Sequence, residues 1–114
     1  MTPYKRGDVV LVPFPFSNQA AAKKRPAVVI SSSLHNESSL DIIILAITSK
    51  VDKYAGIGEC LVQDWQTAGL LKPSAIKSAL STIEQTLVLK RLGKLSQRDM
   101  TSLEQALKDL FDLK

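Results

Sequence analysis

Cysteine and histidine are nearly absent from this chain: of its 114 residues, only Cys60 and His35 are of these types. A single cysteine excludes an intrachain disulfide and fits a reducing compartment. With no second cysteine or histidine at ligand spacing, a zinc site has no donors to build on. Glycine is scarce too. None of the five glycines makes a G-x-G-x-x-G turn or a P-loop, so the usual phosphate cradles of nucleotide enzymes are missing. Apolar runs such as Ile42–Ile47 are far too short to cross a bilayer. The first apolar stretch is short, preceded by charge and broken by prolines, unlike a secretion signal. Together these absences lead us to expect one cytoplasmic domain over residues 1–114, with no cofactor, metal or membrane.

What is present is enough to fold. Hydrophobic residues make up 45% of the chain and charged residues 23%, which supports a core and argues against wholesale disorder. The net charge is +4, and it is unevenly placed. Residues 1–36 carry five bases (Lys5, Arg6, Lys23, Lys24, Arg25) against Asp8, whereas residues 37–114 carry ten bases and ten acids and sum to zero.

The chain reads as short strands followed by one helix. Asp8–Val12 is a β-branched run ending at Pro13, and Pro13–Lys24 is expected to be a long loop because Pro13 and Pro15 cannot donate to a ladder. Pro26–Ser31 is a second strand, Ser32–Ser39 a polar connector, and Asp41–Thr48 a strand apolar enough to be buried on both faces. A loop over Ser49–Gly58 carries Lys50 and Lys53. Glu59–Gln63 is a fourth strand, Asp64–Leu71 a turn, and Ser74–Ile83 one or two further strands. Ser96 and Asp99 form a capping box, and Leu95 and Met100 stand at staple positions. Met100, Leu103, Leu107 and Leu110 then make one stripe, so a helix is expected from about Gln97 to Asp112. Five or six strands and a helix describe a small barrel closed by that helix.

Chemistry has few places to reside. His35 has the chemistry of a general base, but in a polar connector a solvated surface histidine is the plainer reading. Cys60, beside Leu61 and Val62, reads as a small packed hydrophobe. Arg25 before Pro26 is biased toward an extended backbone and suits a bidentate grip on phosphate, although a solvated basic cluster is the simpler account. Thr48 and Ser49 end the most buried strand, where hydroxyls either orient a phosphate or satisfy strand-end backbone groups. Phe14, Phe16 and Trp65 either stack RNA bases or cover the end of the barrel.

The same residues carry a family likeness. Lys5-Arg6-Gly7-Asp8-Val9-Val10, Pro13-Phe14-Pro15-Phe16, Arg25-Pro26-Ala27-Val28-Val29-Ile30-Ser31, Asn36 and Ile47-Thr48-Ser49 stand in order, followed by Gly69-Leu70, Ser81-Thr82-Ile83-Glu84 and Gly93-Lys94-Leu95-Ser96. This ordered set resembles the MazF/PemK toxins of type II toxin-antitoxin systems, in the PemK-like branch. The resemblance implies a mainly β fold with helices, an SH3-like antiparallel barrel, assembled as a homodimer. It implies a metal-independent, sequence-selective endoribonuclease acting on single-stranded mRNA, with Arg25, Thr48 and the adjacent Ser49 as catalytic candidates. Phe14, Phe16, Asn18, Lys23, Lys24, Asn36, Lys50, Lys53 and Trp65 are the candidates for holding RNA. The implied partner is a cognate small antitoxin with an acidic disordered segment, through which alone operator DNA would be bound. Two departures stand out: Gln19-Ala20-Ala21-Ala22 lacks the acidic loop residue of better-known members, and Ala79-Leu80 replaces a polar position. A gyrase-binding toxin of the CcdB type, which needs no such arginine, and a catalytically degenerate family member are the alternatives.

Overall fold

The chain forms the strands β1 (Asp8–Phe14), β2 (Lys23–Val29), β3 (Asp41–Thr48), β4 (Cys60–Val62), β5 (Ser74–Glu84) and β6 (Lys90–Lys94), with helices α1 (Ser33–Ser38) and α2 (Gln97–Phe111). The computed structural model describes residues 3–14, 23–54 and 56–114. All pairings are antiparallel, in the order β4-β5-β3-β2-β1-β6. The sheet curls into a half-barrel with α2 against one face, which meets the expectation of a small antiparallel β fold with a C-terminal helix.

Alternation along the strands sorts the core into two clusters. Val9, Val28, Leu45 and Ile47 point toward α2 and pack with Leu103 and Leu107. Val10, Val12, Ala27, Val29, Ile42 and Ile44 point to the other face and pack with Ile83, Tyr4 and Val88. β3 supplies both clusters, which is why its sequence is apolar without interruption.

The strands around the first loop are longer than expected. β1 runs through Pro13, and β2 starts at Lys23 rather than at Pro26. Proline is tolerated there for a geometric reason. The carbonyl of Leu11 accepts from Leu89 N, so the odd residues of β1 present their main chain to the β6 side. The β6 ladder stops at Leu11, and Pro13 therefore lacks a donor only where none is used. Residues 15–22, the body of the expected loop, lie outside the described residues.

Two other elements depart from expectation, and β5 takes one of the two forms expected of it. The connector after β2 contains α1, whose N-cap Ser32 accepts from His35 N and whose Asn36 is buried. No apolar period announces it. β5 is one strand of 11 residues with an irregularity, within the expectation of one or two strands over Ser74–Ile83. The sixth strand is β6, which Lys90, Arg91, Gly93 and Lys94 disguise as a loop; charge on an exposed edge strand discourages pairing with other chains.

The capping box is only half formed. Ser96 Oγ accepts from Asp99 N, but the Asp99 carboxylate turns inward and accepts from Gln63 N and Asp64 N, both at 2.8 Å. Leu95 and Met100 both join the core beneath α2, as the staple requires. Asp64 in turn holds Arg98 through both oxygens and accepts from Ser96 Oγ.

The turn tied down by Asp99 closes the sheet's open seam. β4 and β6 are the two edges, and the turn leaving β4 lies directly on β6. Gly69, at φ +78°, has no room for a Cβ because the Leu92 carbonyl fills that space; a Cβ on Gly93 would come within 2.7 Å of the Ala68 carbonyl carbon. Gly69→Ala combines left-handed strain with backbone overlap and should lower stability by about 2–5 kcal/mol, read as a shift in denaturation midpoint at unchanged slope.

Arg98, then Ser96, bonds the Asp64 carboxylate and lowers its pKa to about 2, and the same pairing raises the Arg98 pKa. A depressed carboxyl stabilises the fold above its unfolded value near 4, and the contribution disappears as pH falls through the folded value. The difference in melting temperature between wild type and Asp64→Asn should therefore be constant above about pH 5 and shrink between about pH 4 and pH 2.

Candidate functional site

The register of β2 on β3 brings Arg25 to Thr48. Ala27 pairs with Ala46, Val28 with Leu45 and Val29 with Ile44, so the same count sets Arg25 across from Thr48. Ile30 N donates to Ile43 O, which shows that the even residues of β2 face β3. Pro26 is the next even residue toward the strand start. It has no N–H to offer Ile47, so the ladder ends there and the two strands part. The R-P dipeptide thus does structural work: proline stops the pairing one residue before arginine, and the freed strand ends flank open space.

That space is two recesses sharing one wall. Arg25, Ile47 and Thr48 line both. On one side a recess of about 140 Å³ adds Lys50, Tyr54 and Lys77. On the other, a groove of about 610 Å³ adds Lys24, Ser49, Lys72, Ser74 and Lys90 over a floor that includes Leu11, Leu70 and Leu92. Among the described residues, six cations therefore face the two recesses (Lys24, Arg25, Lys50, Lys72, Lys77 and Lys90), and no acid lines either. Without an anion, such a set repels itself; a phosphate chain relieves that repulsion.

Local geometry supports the pair at the divide. Thr48 is half-buried at the end of β3, and its Oγ1 accepts from Lys50 N at 3.1 Å. This contact orients the hydroxyl oxygen and leaves its proton free to donate. Ser49 is exposed beside it and lines only the larger groove.

The other sequence candidates fall in different places. Lys24 and Lys50 line the recesses. Lys23 pairs with Phe14 at the far end of the β1–β2 ladder, and Lys53 sits exposed in a 3-10 turn; neither lines a recess. Phe16 and Asn18 lie outside the described residues. Trp65 packs against the core beneath α2 and lines neither recess. Asn36 needs correcting. It is 2% exposed, its amide donates to the carbonyls of Tyr4 and Ser31, and its Oδ1 accepts from Ser31 Oγ. With both ends of the amide engaged, Asn36 ties the N-terminal segment to α1 and has nothing left to offer RNA.

Cys60 and His35 stay out of the chemistry. Burial, then the nearby Asp99, pushes the Cys60 thiol up to about 11, so it is protonated and inert at neutral pH. His35 lies within α1 and contacts Asn36 Oδ1 at 3.2 Å. Among the described residues, no three His, Cys, Asp or Glu side chains cluster as metal ligands would.

Tyr54, Lys72, Lys77 and Lys90 were not singled out from sequence. They come from a loop, the approach to β5, β5 itself and β6, and only the pairing of distant strands gathers them. Four of the six cations (Lys50, Lys72, Lys77, Lys90) belong to the stretch after residue 36, whose charges sum to zero.

Solved structures share this architecture at low identity. A mycobacterial endoribonuclease in complex with its cognate antitoxin superposes with a TM-score of 0.77 at 14% identity, covering 100% of this chain and 98% of that one. The Mycobacterium tuberculosis toxin MazF-mt6 gives 0.76 at 19%, covering 94% and 98%. MazE-MazF from Deinococcus radiodurans gives 0.74 at 15%, covering 100% of both chains. A search of curated proteins finds no match. The family model described as PemK-like, MazF-like toxin of type II toxin-antitoxin system matches residues 5–111, and the chain belongs to that family.

Proposed function

We propose that this chain is the toxin of a type II toxin-antitoxin pair and acts as a sequence-selective, metal-independent endoribonuclease on single-stranded mRNA. The observation that carries the reading is the set of six cations, with no acid among the described residues, lining the two recesses at the Arg25–Thr48 divide. A strand laid across that divide places one phosphate against Arg25 and Thr48, with the flanking nucleotides in the two recesses.

The chemistry asks little of the protein because RNA carries its own nucleophile. The 2′-hydroxyl oxygen attacks the adjacent phosphorus as its proton leaves. The bond to the 5′-oxygen then breaks, that oxygen takes up a proton, and the product is a 2′,3′-cyclic phosphate. Arg25 neutralises charge building on the phosphoryl oxygens, and its planar fork can hold two of them. Thr48, its hydroxyl oxygen already occupied by Lys50 N, donates its proton to a phosphoryl oxygen. Arginine stays protonated, and no carboxylate or imidazole lines the recesses among the described residues. Residues 15–22 contain none either. Charge stabilisation, rather than proton abstraction by a side chain, is therefore the role of this site.

The remaining assignments follow from that role. The chain acts in the cytoplasm, where mRNA is found, as a homodimer. Its antitoxin lays an acidic segment along the cationic groove and links the complex to operator DNA.

Purified protein incubated with labelled single-stranded RNA in EDTA should cut at a limited set of sites. Arg25→Ala should lower the cleavage rate by about 10²–10³-fold, the scale for losing one preorganised charge-stabilising donor. Thr48→Val should lower it by about 10–100-fold, while Thr48→Ser retains most of the rate. Equal cleavage by wild type and Arg25→Ala, or none by wild type, overturns the reading. Growth arrest that survives Arg25→Ala, with gyrase in the pull-down, would instead mark a gyrase-binding toxin.

A further inference from the structure

The smaller recess holds two residues that the cleavage step does not use. Tyr54 follows the 3-10 turn after β3, and Lys77 lies in β5; both are half-buried. The Lys77 ammonium sits 4.8 Å from the centre of the Tyr54 ring, a cation–π contact that fixes both side chains at the recess wall.

The strand itself is distorted to bring Lys77 there. Ile47 pairs with Ile76 and Leu45 pairs with Leu80, so β3 advances two residues while β5 advances four. Lys77, Ser78 and Ala79 together face Ala46 alone. A regular ladder would need only one residue there, and an irregularity of this kind re-aims side chains beside functional sites. The result is a third cation, with Arg25 and Lys50, in a recess that no acid lines among the described residues. Lys77 makes no ion pair among the described residues, so its contact with the Tyr54 ring leaves the ammonium charge unneutralised.

The two recesses also differ in kind. The larger groove offers lysines over leucines and, among the described residues, no aromatic ring. The smaller one combines an aromatic face with ammonium groups, the pairing that takes up a base and its phosphate together.

We propose that Tyr54 and Lys77 form a nucleotide subsite beside the Arg25–Thr48 divide, with the base against the Tyr54 ring and its phosphate on Lys77. Placing that nucleotide next to the scissile phosphate rests on the endoribonuclease reading. The subsite itself concerns binding of single-stranded RNA and is tested without cleavage. It makes Tyr54 and Lys77 positioning and specificity residues, not catalytic ones.

The experiment measures binding of a short, mixed-sequence 2′-O-methyl RNA, which lacks the nucleophile, across a salt series. Tyr54→Leu keeps apolar bulk but loses the π face, and should weaken binding about 5–100-fold with the salt slope unchanged. Tyr54→Phe should bind as wild type does. Lys77→Gln should reduce the slope of log K against log salt by about 0.7, the value for one single-strand phosphate contact, and Lys77→Arg should restore it. A merely structural role for either residue would not separate affinity from salt slope in this way. Wild-type affinity in Tyr54→Leu, an unchanged slope in Lys77→Gln, or no binding by wild type overturns the subsite. If unmodified RNA stays uncut while these differences appear, the subsite stands and the nuclease reading falls.

Discussion

One buried carboxylate holds the architecture of the site together. Asp99 is 1% exposed, and its two oxygens accept from successive backbone amides, Gln63 N and Asp64 N. A bare charge at that depth would cost several kcal/mol. Two charge-assisted bonds and a place in the first turn of α2, where the helix dipole favours an anion, offset the cost. The consequence reaches well beyond the helix end. By fixing residues 63 and 64, Asp99 anchors the turn that crosses from β4 to β6. That turn delivers Gly69 against Leu92, and the residues following it, Leu70 to Lys72, wall the larger groove. The groove therefore owes part of its wall to the turn that Asp99 anchors.

A second constraint comes from a missing donor. β2 and β3 would continue to pair if residue 26 carried an N–H. Because it is proline, the ladder ends at Ala27, and Arg25 and Thr48 stand across from each other without being zipped together. The two constraints are independent: one closes the seam, the other opens the strand ends. The recesses lie where they meet.

Legibility from sequence followed the range of the interactions. β3 and α2 were read nearly to the residue, since a continuous apolar run and a three-four stripe are local signals that nothing in the tertiary structure overrides. The Ser96–Asp99 spacing was read correctly as a cap, but only the serine behaves as one, because Asp99 found two amides 35 and 36 residues away. α1 was missed because its stability rests on Ser32 and on the buried Asn36 network rather than on an apolar face. β6 was missed because its charges and glycine serve an edge position and a close approach. At the site, Arg25 and Thr48 were legible through the motifs that carry them. Tyr54 and Lys77 were not, since the irregularity between β3 and β5 sets Lys77 beside that pair and only the folded loop after β3 brings Tyr54 to it.

Charge shows the same limit most plainly. Counted along the chain, the whole excess of +4 precedes Glu37, which points to the first loop as the grip on an anion. Folding changes that picture. The later stretch is neutral only as a sum: it sends Lys50, Lys72, Lys77 and Lys90 to the recesses and none of its ten acids. Two of those acids, Asp64 and Asp99, are engaged with Arg98 and with backbone amides near the start of α2. The field at the recesses is therefore set by strand register and by the irregularity in β5, not by the order of charges in the chain. A protein with a net charge of only +4 can in this way present, among its described residues, six cations and no anion at one place, because its 11 acids all lie elsewhere.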